Sequence, residues 1–338
     1  MRPERESNSK SKDEAPSRMK AKNELKSMFT EHWKYLAVAT ACNLKLFDKV
    51  FEGQNSLEKL CELNGWPSKP LIFLLTHLVQ DQYLKLISDS YTLCEKGDLL
   101  REQNDDGLYH ACLNWSGEHL DAWRKLDYSI ISGDSAFENQ FQTSYFKYLE
   151  TDPTKLDHYH LAMYQYATDD YQDLPDLIDF NAYQSILDVG GGYGAAIAQI
   201  KKKYPERECI LFDLPEVIQN VSNTGIKKIG GDFFNEFPLQ VNAMLLSRIL
   251  HDWDDDNCRL ILQNCFKALY TGGTLFLIEN CTDLVQGDFS LLSLNMVAMC
   301  GSNERTSHEF IQLCKQCGFS YHGQKKLNDL QTILIFNK

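Results

Sequence analysis

Ile186-Leu187-Asp188-Val189-Gly190-Gly191-Gly192-Tyr193-Gly194-Ala195 decides how the rest of this chain is read. The apolar start is short enough for a buried strand, the glycines permit a tight turn and close approach by a ligand, and Ala195 can open a helix. A second anchor, Ile210-Leu211-Phe212-Asp213, ends in an acid 25 residues beyond Asp188. In dinucleotide folds an acid at the second strand end, at a spacing of about 20 residues, binds ribose hydroxyls. Gly190-x-Gly192-x-x-Ala195 satisfies the relaxed dinucleotide fingerprint. The glycine run alone therefore leaves open an NAD enzyme, another nucleotide-like cofactor and a plain tight turn.

At 338 residues the chain has room for a substantial core and two domains, and its hydrophobic fraction of 43% favours a folded protein. The net charge of -13 argues against a nucleic-acid surface. Eleven cysteines are scattered rather than clustered, which predicts reduced, mostly buried thiols and a cytoplasmic setting. Cys314-x-x-Cys317 has no matching second pair and falls in an expected helix, so a redox or metal role is not assigned to it. No stretch approaches the roughly 18 continuous apolar residues of a membrane span, and the polar N-terminus lacks a signal-peptide core.

Residues 1–22 are rich in Ser and charged residues, with Pro3 and Pro16, and read as a disordered tail. Helical spacing of apolar residues follows from Trp33 to Phe47, then a helix over Ser56–Leu63 with Ser56 as N-cap, and another over Lys69–Val79. A hairpin is expected over 83–93, turning at Ser88, Asp89 and Ser90. This order resembles a winged helix-turn-helix, but the helix that would enter a DNA groove is almost entirely apolar, which suits a subunit interface better than base reading. Residues 105–180 carry aromatic-rich helical patches, including Trp115, Trp123, Tyr145, Phe146 and Tyr159. Beyond Asn181, strands are expected near 185–189, 208–212, 226–229, 242–247, 273–279, 318–325 and 330–336. Helices between most of them predict an open, largely parallel sheet covered on both faces, closed by an antiparallel hairpin.

Further runs narrow the reading: Phe212-Asp213-Leu214-Pro215, Gly230-Gly231-Asp232-Phe233-Phe234, Ser247-Arg248-Ile249-Leu250-His251-Asp252-Trp253, Gly272-Gly273 and Glu304-Arg305-Thr306. With the glycine stretch they resemble the class I S-adenosylmethionine-dependent small-molecule O-methyltransferases of the plant caffeic-acid, hydroxyindole and bacterial polyketide type. That resemblance implies an α/β fold. A Rossmann-like class I methyltransferase domain would span 181–338, preceded by an α-helical winged-helix dimerisation domain over 23–104 and a helical linker and acceptor-pocket region over 105–180. It further implies a homodimer, an aromatic small-molecule acceptor and no membrane or nucleic-acid partner.

Under the same resemblance Asp188, Gly190, Gly192, Gly194, Asp213, Leu214, Asp232, Phe233, Ser247, Arg248 and Trp253 bind S-adenosylmethionine. Asp213 would hold the ribose hydroxyls, Asp232 and Phe233 the adenine. His251 would be the general base at the end of a strand expected over 241–250, a neutral imidazole near neutral pH that takes a phenolic proton. Glu279 and Glu304 would orient it, fix its tautomer and favour its protonated form. Met163, Asp252, Asn295, Met296 and Met299 would face the acceptor. Ser293 departs from many bacterial relatives, which have an acid there. The acidic run Asp252–Asp256 reads as a helix cap, and no metal is expected. An NAD oxidoreductase would leave His251, Glu279 and Glu304 without a role, and a noncatalytic dimeric regulator would leave a complete cofactor site unexplained. Carbon or nitrogen methylation stays open beside oxygen methylation.

Overall fold

The computed structural model describes residues 14–221, 225–284, 289–302 and 304–338, and the chain divides into two compact units, the first ending at Gly107 and the second running from Leu108 to Lys338. The first unit is helical with one hairpin. Its leading helix spans Glu14–Asn43, so residues 14–22 are helical where the sequence suggests a tail; Pro16 lies in the first turn, where a missing N–H costs nothing. The remainder of the expected tail, residues 1–13, lies outside the described residues. Ser56 caps the helix Leu57–Asn64 by accepting from the Lys59 N–H, as the sequence suggests. The helix Ser68–Gln80 follows, and strands β1 (Leu84–Ile87) and β2 (Ser90–Leu93) pair antiparallel. Ser88 and Asp89 both take positive φ, 46° and 67°, the geometry that matches a two-residue turn to the twist of its strands. Phe47, Leu60, Leu75, Leu78 and Leu84 form the fully buried centre.

The second unit is built on a seven-stranded sheet. Its strands are β3 (Ser185–Val189), β4 (Glu208–Asp213), β5 (Lys227–Gly230), β6 (Val241–Ser247), β7 (Leu269–Glu279), β8 (Ser320–Lys326) and β9 (Thr332–Asn337), in the order β5-β4-β3-β6-β7-β9-β8. β5 to β7 are parallel, and β9 lies antiparallel between β7 and β8. Side chains alternate between two cores: Leu187, Val189, Ile210, Phe212, Met244 and Leu246 face one, and Ile186, Cys209, Leu211, Ala243 and Leu245 face the other. Helices Asp255–Ala268 and Ser307–Gln316 cover the first face and Ala195–Lys203 the second, so the central strands read as unbroken apolar runs. The aromatic helices between Tyr109 and Asp170 belong to this unit, with Phe137, Tyr145, Leu149 and Leu156 packed around Met299.

Strand order reverses at β3: β4 and β5 continue to one side, β6 and β7 to the other. A crevice outside the carboxyl ends of the strands forms at such a reversal. There the chain leaves β3 through Gly190 and Gly191, and a Cβ on Gly191 would lie 2.6 Å from both Asp188 Oδ2 and Leu211 Cδ1. Gly191→Ala is expected to destabilise the fold by about 1–3 kcal/mol, read as a lowered thermal unfolding midpoint; an unchanged midpoint would contradict the packing described.

Candidate active site at the carboxyl edge of the sheet

The expected cofactor contacts lie at or just beyond the carboxyl ends of the parallel strands. After β3, Gly190, Gly192 and Gly194 take positive φ of 67°, 56° and 81°. The Gly192 N–H donates to Asp213 Oδ2 and the Leu214 N–H to Asp213 Oδ1, both at 2.7 Å. The acid at the end of β4 thus holds the glycine turn. Burial pushes its carboxyl up to about 6, against the two backbone donors that favour the charged form. Asp188 is placed differently. It lies beneath the turn, 1% exposed, and burial pushes its carboxyl up to about 7.

After β5, Asp232 is exposed and accepts from the Phe234 N–H and the Asn235 amide. Phe233 packs edge-on to Trp253 with ring centres 6.0 Å apart, while Phe146 stacks on Trp253 at the same separation. A Cβ on Gly190 would lie 2.6 Å from Ile249 Cδ1 and 3.5 Å from the Phe233 ring, so both side chains pack close to the glycine turn. These features suit a nucleoside. The glycine turn presents bare backbone, Asp213 offers a buried acid beside it, and Phe233 and Trp253 supply aromatic faces. The turn is also fastened from the far side: Tyr193 donates to Asp157 on the helix Pro153–Asp170, and His160 stacks on the Tyr193 ring at 5.4 Å.

β6 ends at Ser247, as the strand expected near 242–247 does and three residues short of the 241–250 reading. Ser247 Oγ hydrogen-bonds the Tyr171 hydroxyl at 2.6 Å. Arg248 then adopts a left-handed φ of 56° just past the strand, and the chain enters a 3-10 turn over Leu250–Asp252. Burial opposes the charge on the Arg248 guanidinium, and the carboxylates of Asp170 and Asp252 favour it.

His251 sits on that turn, buried. Its Nδ1 lies 3.2 Å from Glu304 Oε1 and 3.9 Å from Glu279 Oε2; its Nε2 lies 3.7 Å from Asp252 Oδ1. Glu279, at the end of β7, accepts from the N–H groups of Ile249 and Leu250 through Oε1, at 3.1 and 2.8 Å. Burial opposes a charge on His251, yet Asp252, Glu279 and Glu304 together outweigh it and push the imidazole up to about 9. The three acids thus favour the protonated form of the imidazole. Burial pushes Glu279 up to about 7, whereas the hydrogen bond from His251 holds Glu304 low against its own burial.

His251, Glu279 and Glu304 also bring three donor atoms within 4.8 Å of one another. A divalent ion there would compete with the His251–Glu304 hydrogen bond and would find only one nitrogen and two carboxylates.

On the helix Ser290–Cys300, Asn295, Met296 and Met299 are buried, and this helix contacts the 3-10 turn. Asn295 Oδ1 accepts from the Trp123 indole at 2.8 Å, and Cys300 Sγ approaches Asp252 at 3.9 Å. Met163 is half-buried on the helix Pro153–Asp170. Residues the sequence reading left without a role complete the arrangement. Asn280 donates to Glu304 at 3.1 Å, and Arg305 and Cys258 reach the backbone of the turn. In the sequence, Asn280 is signalled only by following Glu279, Arg305 by its place in the Glu304-Arg305-Thr306 run, and Cys258 by nothing.

The profile of the O-methyltransferase domain family matches residues 123–320. Among curated proteins, the chain is 29% identical over 308 residues to phenazine O-methyltransferase PhzM of Lysobacter antibioticus, covering 88% of this chain and 90% of that one. It is 31% identical over 303 residues to 3-amino-4-hydroxybenzoate 4-O-methyltransferase of Streptomyces cremeus, covering 85% and 82%. Among solved structures, the crystal structure of LaPhzM superposes with a TM-score of 0.87 at 27% identity, covering 94% of this chain and 99% of that one. Human N-acetylserotonin methyltransferase, solved in complex with SAM, gives a TM-score of 0.84 at 21% identity over 98% and 99% of the two chains, a likeness of fold.

Neutralising one acid tests the electrostatics directly. In Glu304→Gln the His251 pKa is expected to fall from about 9, because an anion that favours the imidazolium is lost while burial remains. Histidine-selective NMR titration reads it, with His251→Asn identifying the signal; an unmoved or raised value would contradict the assignment.

Proposed function

The chain belongs to the O-methyltransferase family, and from that premise we propose that His251 takes the proton from a phenolic hydroxyl as S-adenosylmethionine methylates it on an aromatic small molecule. The observation that carries this reading is a buried imidazole enclosed by three acids at the carboxyl edge of the sheet, beside a glycine turn held by Asp213. When bound, the donor supplies a sulfonium-activated methyl group, so the protein needs to align, exclude water and accept a proton. Gly190, Gly192 and Gly194 leave room for the donor, Asp213 takes the ribose with Leu214 beside it, and Asp232, Phe233, Arg248 and Trp253 take the base. Ser247 holds Tyr171 behind that wall. Met163, Asp252, Asn295, Met296 and Met299 flank the acceptor.

His251 Nδ1 faces Glu304 and Glu279, which leaves Nε2 to receive the proton. A base whose conjugate acid lies near 9 suits a phenol, whose ordinary pKa is about 10. The imidazolium it becomes is stabilised by the same three carboxylates. Their presence also keeps most of the resting protein protonated at neutral pH. The sign follows: the neutral form is required, so kcat/KM should climb about tenfold per pH unit between roughly 6 and 8 and level above about 9. A flat profile over that range would count against His251 as base.

His251→Asn is expected to lower methyl transfer by roughly 10²–10⁴-fold while S-adenosylmethionine binding, measured by calorimetry, is kept. A fully active variant would remove the histidine from the mechanism, and tight NADH binding without S-adenosylmethionine binding would remove the family reading of the cradle. Dialysis against EDTA should leave the rate unchanged; a loss restored by a divalent cation would favour the metal alternative at His251, Glu279 and Glu304.

Residues 23–104 are read as a winged-helix dimerisation domain, 105–180 as the acceptor-pocket region and 181–338 as the donor-binding domain. Leu25, Phe29 and Trp33 form an exposed apolar stripe at helical spacing, with Met28 beside it. Such a stripe suits a second copy of the chain. The helix Ser68–Gln80, with Lys69 and His77 as its cationic residues, does not suit a DNA groove. Free cysteines throughout accord with a cytoplasmic setting, and among the described residues no helix is long and apolar enough to cross a membrane. Phe29→Ser with Trp33→Ser should halve the mass seen by light scattering; a wild-type mass would place the interface elsewhere.

A further inference from the structure

The backbone of the turn that carries His251 is held on both its donor and its acceptor sides. On the donor side, the N–H groups of Ile249 and Leu250 are taken by Glu279, and the Arg248 N–H by the Ile278 carbonyl at 2.9 Å. On the acceptor side, Arg305 Nη1 donates to the Leu250 carbonyl at 2.8 Å and Nη2 to the Trp253 carbonyl at 2.7 Å. The two carbonyls bracket His251 and Asp252. Cys258 Sγ also reaches them, at 3.2 and 3.5 Å.

Arg305 is itself fixed. It is 6% exposed, and its Nε and Nη2 donate to Asp255 Oδ1 at 3.2 and 2.9 Å. Its own carbonyl accepts from the Thr282 N–H at 3.1 Å, and Thr306, the next residue, caps the following helix in a reciprocal pair with Glu309. Glu304, the residue before it, meets His251 Nδ1. The run Glu304-Arg305-Thr306 thus addresses the imidazole, the backbone beneath it and a helix start in three successive residues.

We propose that Arg305 is a positioning residue for the reaction: its guanidinium clamps the carbonyls of Leu250 and Trp253 and so sets His251 against Glu304 and Glu279. The planar fork is what the geometry demands. A lysine ammonium keeps the charge but cannot span two carbonyls and a carboxylate in one plane. The role rests on the reading of His251 as proton acceptor. A displacement of about 1 Å at such a group can cost on the order of 100-fold in rate.

The imidazole reports its own placement, because the charged groups facing it are Asp252 on its own turn, Glu279 from β7 and Glu304 from the loop before the Ser307–Gln316 helix, with Arg248 beside Asp252 and Glu304. If the turn slackens, His251 draws away from those acids and titrates closer to its ordinary value of about 6.5. The test is the histidine NMR titration on the full chain, with calorimetric binding of S-adenosylhomocysteine and thermal unfolding alongside. Arg305→Lys is expected to lower the His251 pKa by about one unit or more while binding S-adenosylhomocysteine within about threefold of the wild type. An unmoved His251 pKa with a lowered unfolding midpoint would make Arg305 a stability anchor only, and overturn the proposal.

Asp255→Asn provides a variant that keeps the fold, because Asp255 is largely exposed and touches the clamp from outside. It should shift His251 in the same direction by less, whereas Asp256→Asn, which removes a neighbouring charge paired to Arg259 instead, should not shift it. Equal shifts in the two, or none in Asp255→Asn, would overturn the clamp even if Arg305→Lys fails to fold. Failure of the base reading is a separate result, a His251→Asn protein that still methylates phenols at the wild-type rate.

Discussion

A buried imidazole with carboxylates of Glu304, Glu279 and Asp252 at 3.2, 3.9 and 3.7 Å is a costly arrangement, and much of the second unit is organised around tolerating it. Taking several charges out of water costs more than their mutual attraction returns unless the remaining donors and acceptors are matched. Here backbone N–H groups hold one oxygen of Glu279, Asn280 shares Glu304, and guanidinium groups stand at Arg248 and Arg305. The protonated imidazole is the form that balances the acids. The same preference makes His251 a stronger base than an isolated histidine, at the expense of the fraction that is neutral at physiological pH.

The sheet makes this possible by converging its strand ends. β3 contributes the glycine turn, β4 Asp213, β5 the run to Asp232 and Phe233, β6 the turn of His251, and β7 Glu279. Because β3 and β6 are neighbours in the sheet, the glycine turn and the imidazole leave it side by side. A shift of one residue in the register would send each of these side chains to the opposite core. The apolar alternation that buries Leu187 on one face and Ile186 on the other is therefore also what aims the site.

Much of this was legible in the chain. The strands from β3 to β9 lie within one or two residues of their apolar runs at most ends, because buried strands between helices leave strong punctuation. β7 departs furthest, starting at Leu269 rather than 273, where the sheet carries a bulge across Val241 and Ala243. The helix start at Glu14 was hidden by a polar composition that also suits a tail. The part Asp252 plays in favouring the charged His251 was not read from sequence, where it stood only as an acceptor-facing residue and helix cap. The left-handed Arg248 was equally hidden, since nothing in Ser247-Arg248-Ile249 announces a positive φ in a non-glycine residue. Arg305 was visible only as part of a motif; its meaning depends on which carbonyls it reaches.

The central claim is that this arrangement delivers a methyl group to a phenolic oxygen, and the most direct measurement follows the methyl group itself. The protein is incubated with S-adenosylmethionine carrying a deuterated methyl and a panel of aromatic phenols, and products are located by mass spectrometry and NMR. The account predicts a labelled methyl ether at a phenolic oxygen and stoichiometric S-adenosylhomocysteine. Label on carbon or nitrogen, or no transfer to any phenol by protein that binds the donor, would contradict it.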